Sequence, residues 1–350
     1  MADTESTKQV VRLGFVGCGS HARLALYPKI HRVPELDLVA VCDLNEARRT
    51  KTKRDFGALY DYADLHTMCD KQELDAICIV GPPFMQYEVG MEVLKRYRLP
   101  IFLEKPPALT YAQALELAQA AKEAGVFGMT GFMKRFAPAY VAAERICRSD
   151  SFGRVTLVDL RYTHGPYPLI WGLSPEPYCC LVGNSCHILD LARFFGGDVA
   201  ELYARLWYPG SGGSFAFAIT LAYTNGAVGL INCNGTDDAG WIMREHCAVS
   251  GICASVEVDD MTHLRYRSGE RWDSGPEVRS WHQGQIMHPH AVAGSTGNDD
   301  YGYQGELQHF ARCVLGTQAP RSTLLDGAKC LQMAEAIWQS AQSRQPVSLT

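Results

Sequence analysis

The sequence predicts an α/β N-terminal Rossmann domain, built on a doubly wound parallel sheet, and an α+β C-terminal domain with a large, mostly antiparallel open sheet. Short apolar runs alternate with helix-like stretches over the first third of the chain, and such runs are typical of strands buried on both faces. Longer strand-like runs follow, joined by turns such as Asn225-Gly226, a pair that favours a hairpin. We therefore expect domains at residues 1–132 and 133–350.

The first domain is expected to alternate strands and helices along the chain. We predict its strands at residues 10–16, 36–42, 76–80, 100–103 and 126–129. We predict its helices at residues 22–33, 45–56, 87–97 and 111–124. The last helix is rich in strong helix formers, and Thr110 and Gly125 are residue types that begin and end helices.

The second domain is expected to be dominated by one broad sheet. We predict its strands at residues 154–162, 199–208, 215–223, 227–233 and 246–258, and its helices at 184–195, 303–315 and 326–343. Residues 166–180 and 283–300 are predicted as loops. Because an open sheet has to be covered, and self-association is the usual solution, we expect a homodimer or homotetramer.

Composition excludes several classes of protein. The 350 residues are 47% hydrophobic and 20% charged, with a net charge of −5 and no basic block, so we expect no nucleic-acid partner. No apolar run is long enough to cross a bilayer, and the polar N-terminus does not resemble a signal peptide, so we expect no membrane partner. Thirteen cysteines without a CxxC pair favour buried free thiols in the reducing cytoplasm.

A glycine-rich turn between the first strand and the first helix predicts a dinucleotide site. Gly17 permits the tight turn, Gly19 lets a pyrophosphate approach the backbone, and the helix N-terminus offers free N–H groups. The residues of this segment are Gly17, Cys18, Gly19, Ser20, His21 and Ala22. Asp43 ends the second strand, where a carboxylate binds ribose hydroxyls and repels a 2′-phosphate, so NAD is favoured. Arg48 lies one turn further on and leaves NADP possible.

Glu104, Lys105 and Pro106 follow a predicted strand of the same sheet. Ligands of open α/β sheets bind at the carboxyl ends of the strands, so this placement puts a lysine at the expected site. Pro106 keeps Lys105 out of helical geometry. On composition alone, an ordinary surface lysine remains the alternative.

The chain resembles the Gfo/Idh/MocA family, named for glucose–fructose oxidoreductase and inositol dehydrogenase, over essentially its whole length. The motifs that carry the resemblance are Gly17–Ala22, Asp43, Glu104-Lys105-Pro106, Lys134-Arg135-Phe136-Ala137-Pro138, Phe152-Gly153-Arg154-Val155, His187-x-x-Asp190 and Tyr303–Phe310. The resemblance implies a two-domain dehydrogenase or reductase that acts on a small carbohydrate-like substrate, a sugar, cyclitol or related polyol. It also implies that Lys105 lies beside the nicotinamide and the reacting hydroxyl.

The chain departs from the family pattern in two places. Many members read Asp-x-x-x-His-x-x-Asp, but Gly183 stands four residues before His187 here. His187 is then expected to accept the proton, and Asn184 to hydrogen-bond the substrate; a helix-terminal histidine without chemistry is the alternative. The other departure is at Gly81, Pro82 and Gln86. The common family form is Thr-Pro followed by a histidine four residues later, and here Gly81 replaces the threonine and Gln86 replaces the histidine. We still expect all three to line the cofactor.

Further candidates rest on residue type. Arg135 is a candidate to bind an anionic or polyol substrate, with a structural ion pair as the alternative. An aromatic wall for a sugar ring is proposed from Tyr162, His164 and Trp171, together with Tyr167 and Tyr178; ordinary packing is the alternative. The spacing of His282, His288 and His290 matches no known metal site, so no metal is expected. Two functional alternatives stay open: a dinucleotide-binding sensor without turnover, and an enzyme that runs a hidden redox step with tightly bound NAD.

Overall fold

The computed structural model describes residues 9–237, 244–252, 254–268, 277–282 (main chain only) and 301–350. The predicted loop at 283–300, with His288 and His290, lies outside the described residues, as does the side chain of His282. Contacts divide the chain into two compact units. Among the described residues, the first unit contains 9–131 and 303–328, and the second contains the remainder.

The first unit is built on a parallel sheet of six strands within the described residues, in the order β3-β2-β1-β4-β5-β6. The strands are β1 (Val11–Val16), β2 (Leu36–Cys42), β3 (Tyr60–Tyr62), β4 (Ala76–Ile79), β5 (Ile101–Glu104) and β6 (Gly128–Gly131). The strand order reverses beside β1, so the carboxyl ends of β1 and β4 flank the crevice in which open α/β sheets bind ligands. The predicted Rossmann architecture is confirmed.

Helices accompany this sheet, and three of those described begin at a side-chain cap. They are α1 (Tyr27–Ile30, entered through a π-helical segment, Ala22–Leu26), α2 (Glu46–Phe56), α3 (Leu65–Lys71), α4 (Pro83–Glu92, continued by π-helical Val93–Tyr97) and α5 (Tyr111–Ala124). Helix α5 has the predicted bounds, because the Thr110 side chain accepts the Gln113 N–H and Gly125 ends the helix in the left-handed region. Strand β3 and helix α3 were not predicted, since each is too short for a periodic pattern to show.

The second unit is built on one mixed sheet of nine strands in the described chain, in the order β14-β13-β12-β11-β7-β10-β9-β8-β15. The strands are β7 (Val155–Thr163), β8 (Val199–Trp207), β9 (Ala216–Tyr223), β10 (Val228–Asn234), β11 (Arg244–Gly251), β12 (Ala254–Asp259), β13 (His263–Ser268), β14 (Glu277–His282) and β15 (Val347–Ser348). Neighbours pair antiparallel except β7 and β10, so the prediction of a mostly antiparallel open sheet is confirmed. The predicted strand at 246–258 is instead two strands of a hairpin.

Helices and one short turn accompany this sheet. They are a 3-10 turn at Met133–Phe136, α6 (Pro138–Cys147), α7 (Glu176–Gly183) and α8 (Cys186–Gly196). The predicted loop at 166–180 was wrong at its end, where residues 176–180 belong to α7. Pro177 is compatible with this helix because it occupies a first-turn position, where the missing proline N–H costs nothing. The last two helices are α9 (Tyr303–Val314), in the first unit, and α10 (Leu324–Ser343), which continues into the second unit. Among the described helices, none is long and apolar enough to cross a membrane.

Candidate active site

The turn after β1 depends on a glycine at position 17. Gly17 has φ of +106°, and a Cβ there would lie 1.9 Å from the carbonyl oxygen of Val80. Its N–H donates to the Cys42 carbonyl at 2.8 Å, and its own carbonyl accepts from the Tyr27 hydroxyl at 3.1 Å. Only glycine fits both this backbone conformation and this approach to β4. The turn is therefore fixed by steric exclusion and by hydrogen bonds on both sides.

Gly19 lies in the same turn but in open surroundings. A Cβ at this position would meet no heavy atom within 4 Å, so the backbone here borders free space. Ser20 and His21 are exposed where the helical segment begins, and the Arg23 N–H already bonds the Gly19 carbonyl. Open space over a glycine at a helix N-terminus fits a pyrophosphate, because the backbone N–H groups and the helix dipole favour an anion.

Asp43 is held by the backbone beside this turn. Its Oδ2 accepts the Cys18 N–H and its Oδ1 accepts the Asn45 N–H, both at 2.8 Å. Because each carboxylate oxygen has two lone pairs, the group can still accept hydrogen bonds from a ribose diol. Arg48 is exposed in the first turn of α2, whereas the neighbouring Arg49 lies 3.5 Å from Asp61. The fixed carboxylate at the end of β2 suits NAD better than a cofactor with a 2′-phosphate.

Lys105 leaves the end of β5 beside a buried carboxylate. Glu104 is 3% exposed; its Oε2 accepts the Lys105 backbone N–H at 2.9 Å, and its Oε1 lies 3.2 Å from Nε2 of His21. The His21 ring in turn meets the ring of Tyr303 edge to face, at 5.9 Å. Lys105 is half-buried. The structure thus links the glycine-rich segment to the Glu-Lys-Pro segment through one histidine–glutamate contact.

Gln86 is buried on α4, behind the same segment. Its Nε2 donates to the Pro106 carbonyl at 3.0 Å, which ties α4 to the residue after Lys105. Its Oε1 is buried without a hydrogen-bond partner among the described residues, a state that buried acceptors rarely keep without a ligand or a water. Pro82 is exposed and Gly81 half-buried at the start of α4. This acceptor fits an amide donor such as that of a nicotinamide.

In the second unit, His187 lies in the first turn of α8 and is 5% exposed. The edge of its ring faces Phe132, with 6.5 Å between the centroids. Asn184 was expected to share a helical face with His187, but it lies at the junction of α7 and α8, with φ of −131°. The Asn184 carbonyl accepts the His187 N–H at 3.3 Å, so the two residues are adjacent without belonging to one regular helix.

Arg135 forms a buried ion pair. Its Nε donates to Oδ2 of Asp190 at 2.8 Å and its Nη2 donates to Oδ1 at 2.5 Å. The guanidinium carbon also lies 5.2 Å from the Phe194 ring centroid. Both hydrogen bonds go to a carboxylate that is 1% exposed, so the structure supports the ion-pair alternative for Arg135 over the predicted substrate contact.

Several members of the predicted aromatic wall are packed inside the second unit. Tyr162 is fully buried and Lys134 Nζ lies 5.1 Å from its ring centroid, so its ring offers no face to a sugar. Tyr178 packs against Trp338, at 5.7 Å. His164 is 2% exposed, and its Nδ1 bonds the adjacent Gly165 carbonyl. Trp171 is half-buried, so part of its side chain is open to solvent.

Sequence reasoning missed a buried polar cluster in the second unit. Lys134 and Glu245 form an ion pair, and the Tyr140 hydroxyl donates to Oε1 of the same glutamate at 2.6 Å. All three side chains are at least nine-tenths buried. Lys134 belongs to a motif that the sequence analysis singled out, but its partner lies more than 100 residues away, so no local pattern could identify it.

The comparisons with known proteins cover most of the chain, and two family models match its two parts. The Gfo/Idh/MocA model described as an oxidoreductase family with an NAD-binding Rossmann fold matches residues 11–132. The model for the C-terminal alpha/beta domain of the same oxidoreductase family matches residues 146–349.

Individual relatives are distant but similar in length. The scyllo-inositol 2-dehydrogenase (NAD(+)) of Bacillus subtilis is 25% identical, over 97% of this chain and 96% of the relative. The D-apiose dehydrogenase of Paraburkholderia graminis is 24% identical, over 99% and 92%. A crystal structure of a dehydrogenase from Chromobacterium violaceum superposes with a TM-score of 0.84 at 20% identity, over 96% and 97% of the two chains. With both of its domains matched by the family models, the chain belongs to the Gfo/Idh/MocA family of NAD-binding oxidoreductases.

Proposed function

We propose that this protein transfers hydride between NAD and a secondary alcohol, or the corresponding ketone, of a sugar, cyclitol or related polyol. The observation that carries the proposal is the frame around Lys105, in which Glu104 and His21 join the glycine-rich segment to the end of β5. The substrate class follows from the scyllo-inositol and D-apiose dehydrogenases, which match this chain over nearly its full length.

The cofactor would lie along the carboxyl ends of β1, β2 and β4. The pyrophosphate would bind over Gly19, and the adenosine ribose would bind to Asp43. The nicotinamide amide would donate to the buried Oε1 of Gln86. When bound, NAD supplies the hydride acceptor, and the protein supplies position and electrostatics.

Lys105 would hydrogen-bond the reacting oxygen of the substrate. An ammonium group at that position stabilises the negative charge that develops on the oxygen as hydride leaves carbon. The backbone bond from Lys105 to Glu104 fixes where the lysine side chain starts, so the ammonium group is presented by the end of a rigid strand.

His187 would accept the hydroxyl proton during oxidation, and Asn184 would hydrogen-bond a neighbouring hydroxyl. A neutral imidazole is the side chain best suited to take a proton near neutral pH. The side-chain amide of Asn184 cannot take the proton, so of these two residues His187 would be the acceptor. The absence of a carboxylate at Gly183 favours one competing function, a dinucleotide-binding sensor without turnover.

The test is a screen of NAD reduction with a panel of sugars and inositols. We expect turnover with at least one polyol, and a decrease in kcat/KM of about 10²- to 10⁴-fold for Lys105→Met and for His187→Gln. The dissociation constant for NAD, measured by calorimetry, should stay within a few-fold of wild type for His187→Gln. Lys122→Met, which removes an exposed lysine on α5, is the matched control and should leave kcat/KM unchanged.

Two other outcomes would change the assignment. NAD binding without turnover across the whole panel would identify a sensor. NAD that copurifies with the protein, together with substrate conversion but no net NADH, would identify a hidden redox step such as epimerisation, elimination or glycoside cleavage.

We also propose that the open face of the second-unit sheet mediates assembly into a homodimer or homotetramer. Three large apolar side chains on this face are exposed: Trp207 by 57%, Val228 by 52% and Leu230 by 45%. Large apolar residues exposed on one sheet face favour a protein interface. A second copy of the chain is the simplest cover, because a two-fold interface uses the same patch on both subunits.

A further inference from the structure

Tyr167 is a packed tyrosine whose hydroxyl keeps access to solvent. The residue is only 8% exposed, yet its hydroxyl oxygen is not among the fully buried polar atoms that lack a partner. A tyrosine ring that is held by packing while its hydroxyl can still be reached is suited to hydrogen-bond a ligand atom.

Two glycines position this tyrosine. The Tyr167 N–H donates to the Gly213 carbonyl at 2.9 Å, and a Cβ on Gly213, which has φ of +75°, would lie 2.5 Å from the Tyr167 carbonyl oxygen. At the other end of the side chain, a Cβ on Gly183 would lie 2.6 Å from the Tyr167 hydroxyl oxygen. Any larger residue at 183 would thus displace the phenol, and any larger residue at 213 would displace the main chain.

The residues around Tyr167 are closely packed, and one of them has a strained backbone conformation. A Cβ at Gly183 would also approach Ile170 and Trp171, at 3.0 and 3.2 Å, so the whole segment packs on that glycine. Trp171 has φ of +54°, a left-handed conformation that bulky residues rarely adopt. The His164 ring meets the Tyr167 ring edge to face at 5.5 Å. Backbone strain that persists in a packed segment is characteristic of ligand-binding sites.

The hydroxyl lies where the proposed substrate residues begin. Gly183 is the last residue of α7, and it is followed directly by Asn184 and by the first turn of α8, which carries His187. We propose that the Tyr167 hydroxyl donates a hydrogen bond to an oxygen of the polyol substrate. This inference rests on the proposed function and adds to it a residue that determines substrate specificity.

Burial suits Tyr167 to donation rather than to proton abstraction. Desolvation, with the neighbouring Cys180, Cys186 and Cys179, raises the pKa of Tyr167 far above the ordinary value for tyrosine. The phenol therefore stays protonated over the working pH range and serves as a neutral donor. This separates its role from that of His187, which would accept the proton.

The first experiment compares Tyr167→Phe with wild type on the best polyol from the screen and on its monodeoxy analogues. We expect kcat/KM to fall about tenfold on the parent polyol, the size of one neutral hydrogen bond. One deoxy analogue should show no further loss, because it lacks the oxygen that Tyr167 contacts. A structural role would lower the activity on every analogue by the same factor. Tyr178→Phe, in the same region and packed on Trp338, is the matched control and should not discriminate between analogues.

The second experiment moves the hydroxyl without removing it. Gly183→Ala places a methyl group against the Tyr167 hydroxyl, so we expect a loss similar to that of Tyr167→Phe on the parent polyol. In a Tyr167→Phe background the alanine should cost less than in wild type, because the two changes act on one contact. The melting temperature of Tyr167→Phe without ligands should stay close to that of wild type, since a hydroxyl that keeps access to solvent can be hydrated in the free protein.

The outcomes separate this inference from the function on which it rests. Absence of wild-type turnover on all polyols would overturn the proposed function and this inference with it. Wild-type turnover with an unchanged Tyr167→Phe, or with an equal loss on the parent polyol and every deoxy analogue, would overturn the inference alone.

Discussion

Arg135 and Asp190 are joined by two parallel hydrogen bonds, from Nε to Oδ2 at 2.8 Å and from Nη2 to Oδ1 at 2.5 Å. The arginine lies in the 3-10 turn that follows β6, and the aspartate lies on α8, one turn after His187. The pair therefore fixes the helix that carries His187. This arrangement also assigns a structural role to Asp190.

Asp190→Asn is expected to destabilise the protein by about 3 kcal/mol, because it removes a carboxylate charge that compensates a buried guanidinium. The measurement is the free energy of unfolding from urea titration. Asp198→Asn is the matched control, since it removes the partner of Arg193 in a pair whose aspartate is 56% exposed. We expect that control to cost less than 1 kcal/mol. Equal losses for the two variants would contradict the role given to the buried pair.

Gly17 and Gly19 are expected to respond differently to alanine. Gly17→Ala should destabilise the protein by about 2 kcal/mol or more even without cofactor, because the methyl group meets the Val80 carbonyl and φ is positive. Gly19→Ala should change stability by less than about 0.5 kcal/mol, since nothing lies within 4 Å of the added carbon. It should nevertheless weaken NAD binding at least tenfold. Thermal denaturation and calorimetric titration with NAD measure the two effects, and unchanged NAD affinity in Gly19→Ala would exclude this turn as the pyrophosphate site.

The glycine-rich segment is an example of what the sequence could predict. The G-x-G-x-x-A spacing identified the strand, the turn and the helix start, because each is specified by residues close together in the chain. The helices around Tyr111–Ala124 and Leu324–Ser343 were likewise predicted closely, from periodicity and local caps. The helical entry at Ala22–Leu26 is π-helical, which no propensity indicates.

Partners far apart in the chain were beyond this reasoning. Arg135 could not be assigned to Asp190 or to a substrate from its position alone, and Tyr162 looked like an available aromatic ring although it is fully buried. Tyr167 illustrates the same limit, because its position depends on glycines at 183 and 213 that only tertiary packing brings together. Patterns of period 2 or 3.6 record which face is buried, but they do not record which side chain lies opposite.

His309 is expected to make stability depend on pH on the acid side of neutrality. Its Nδ1 bonds Oε1 of Gln318 at 2.7 Å and its Nε2 accepts the Arg321 N–H at 3.1 Å, so the neutral ring is the form that fits. Desolvation lowers the pKa of His309 below its ordinary value. The unfolded chain therefore binds the proton first as pH falls below about 6.5, and stability is lost from there down to the folded-state pKa.

The check is the free energy of unfolding of wild type and His309→Gln at a series of pH values from 8 down to about 5. We expect a constant difference in stability between the two proteins above pH ~6.5 and a narrowing difference below it, because the variant has lost the titrating group. Parallel curves over the whole range would refute a buried neutral imidazole at this position.

Leu230 is expected to decide the oligomeric state if the open sheet face is the interface. It lies on β10 opposite Asp159 of β7, on the face that also exposes Val228. Leu230→Glu would add a second carboxylate beside that aspartate, and in a two-fold interface the charge appears on both copies. Light scattering should give wild type a mass of two or four times 38.7 kDa and the variant a mass close to one chain. Leu59→Glu is the control, because Leu59 is 55% exposed in the first unit. That control should keep the wild-type mass, and a monomeric wild type would refute the interface outright.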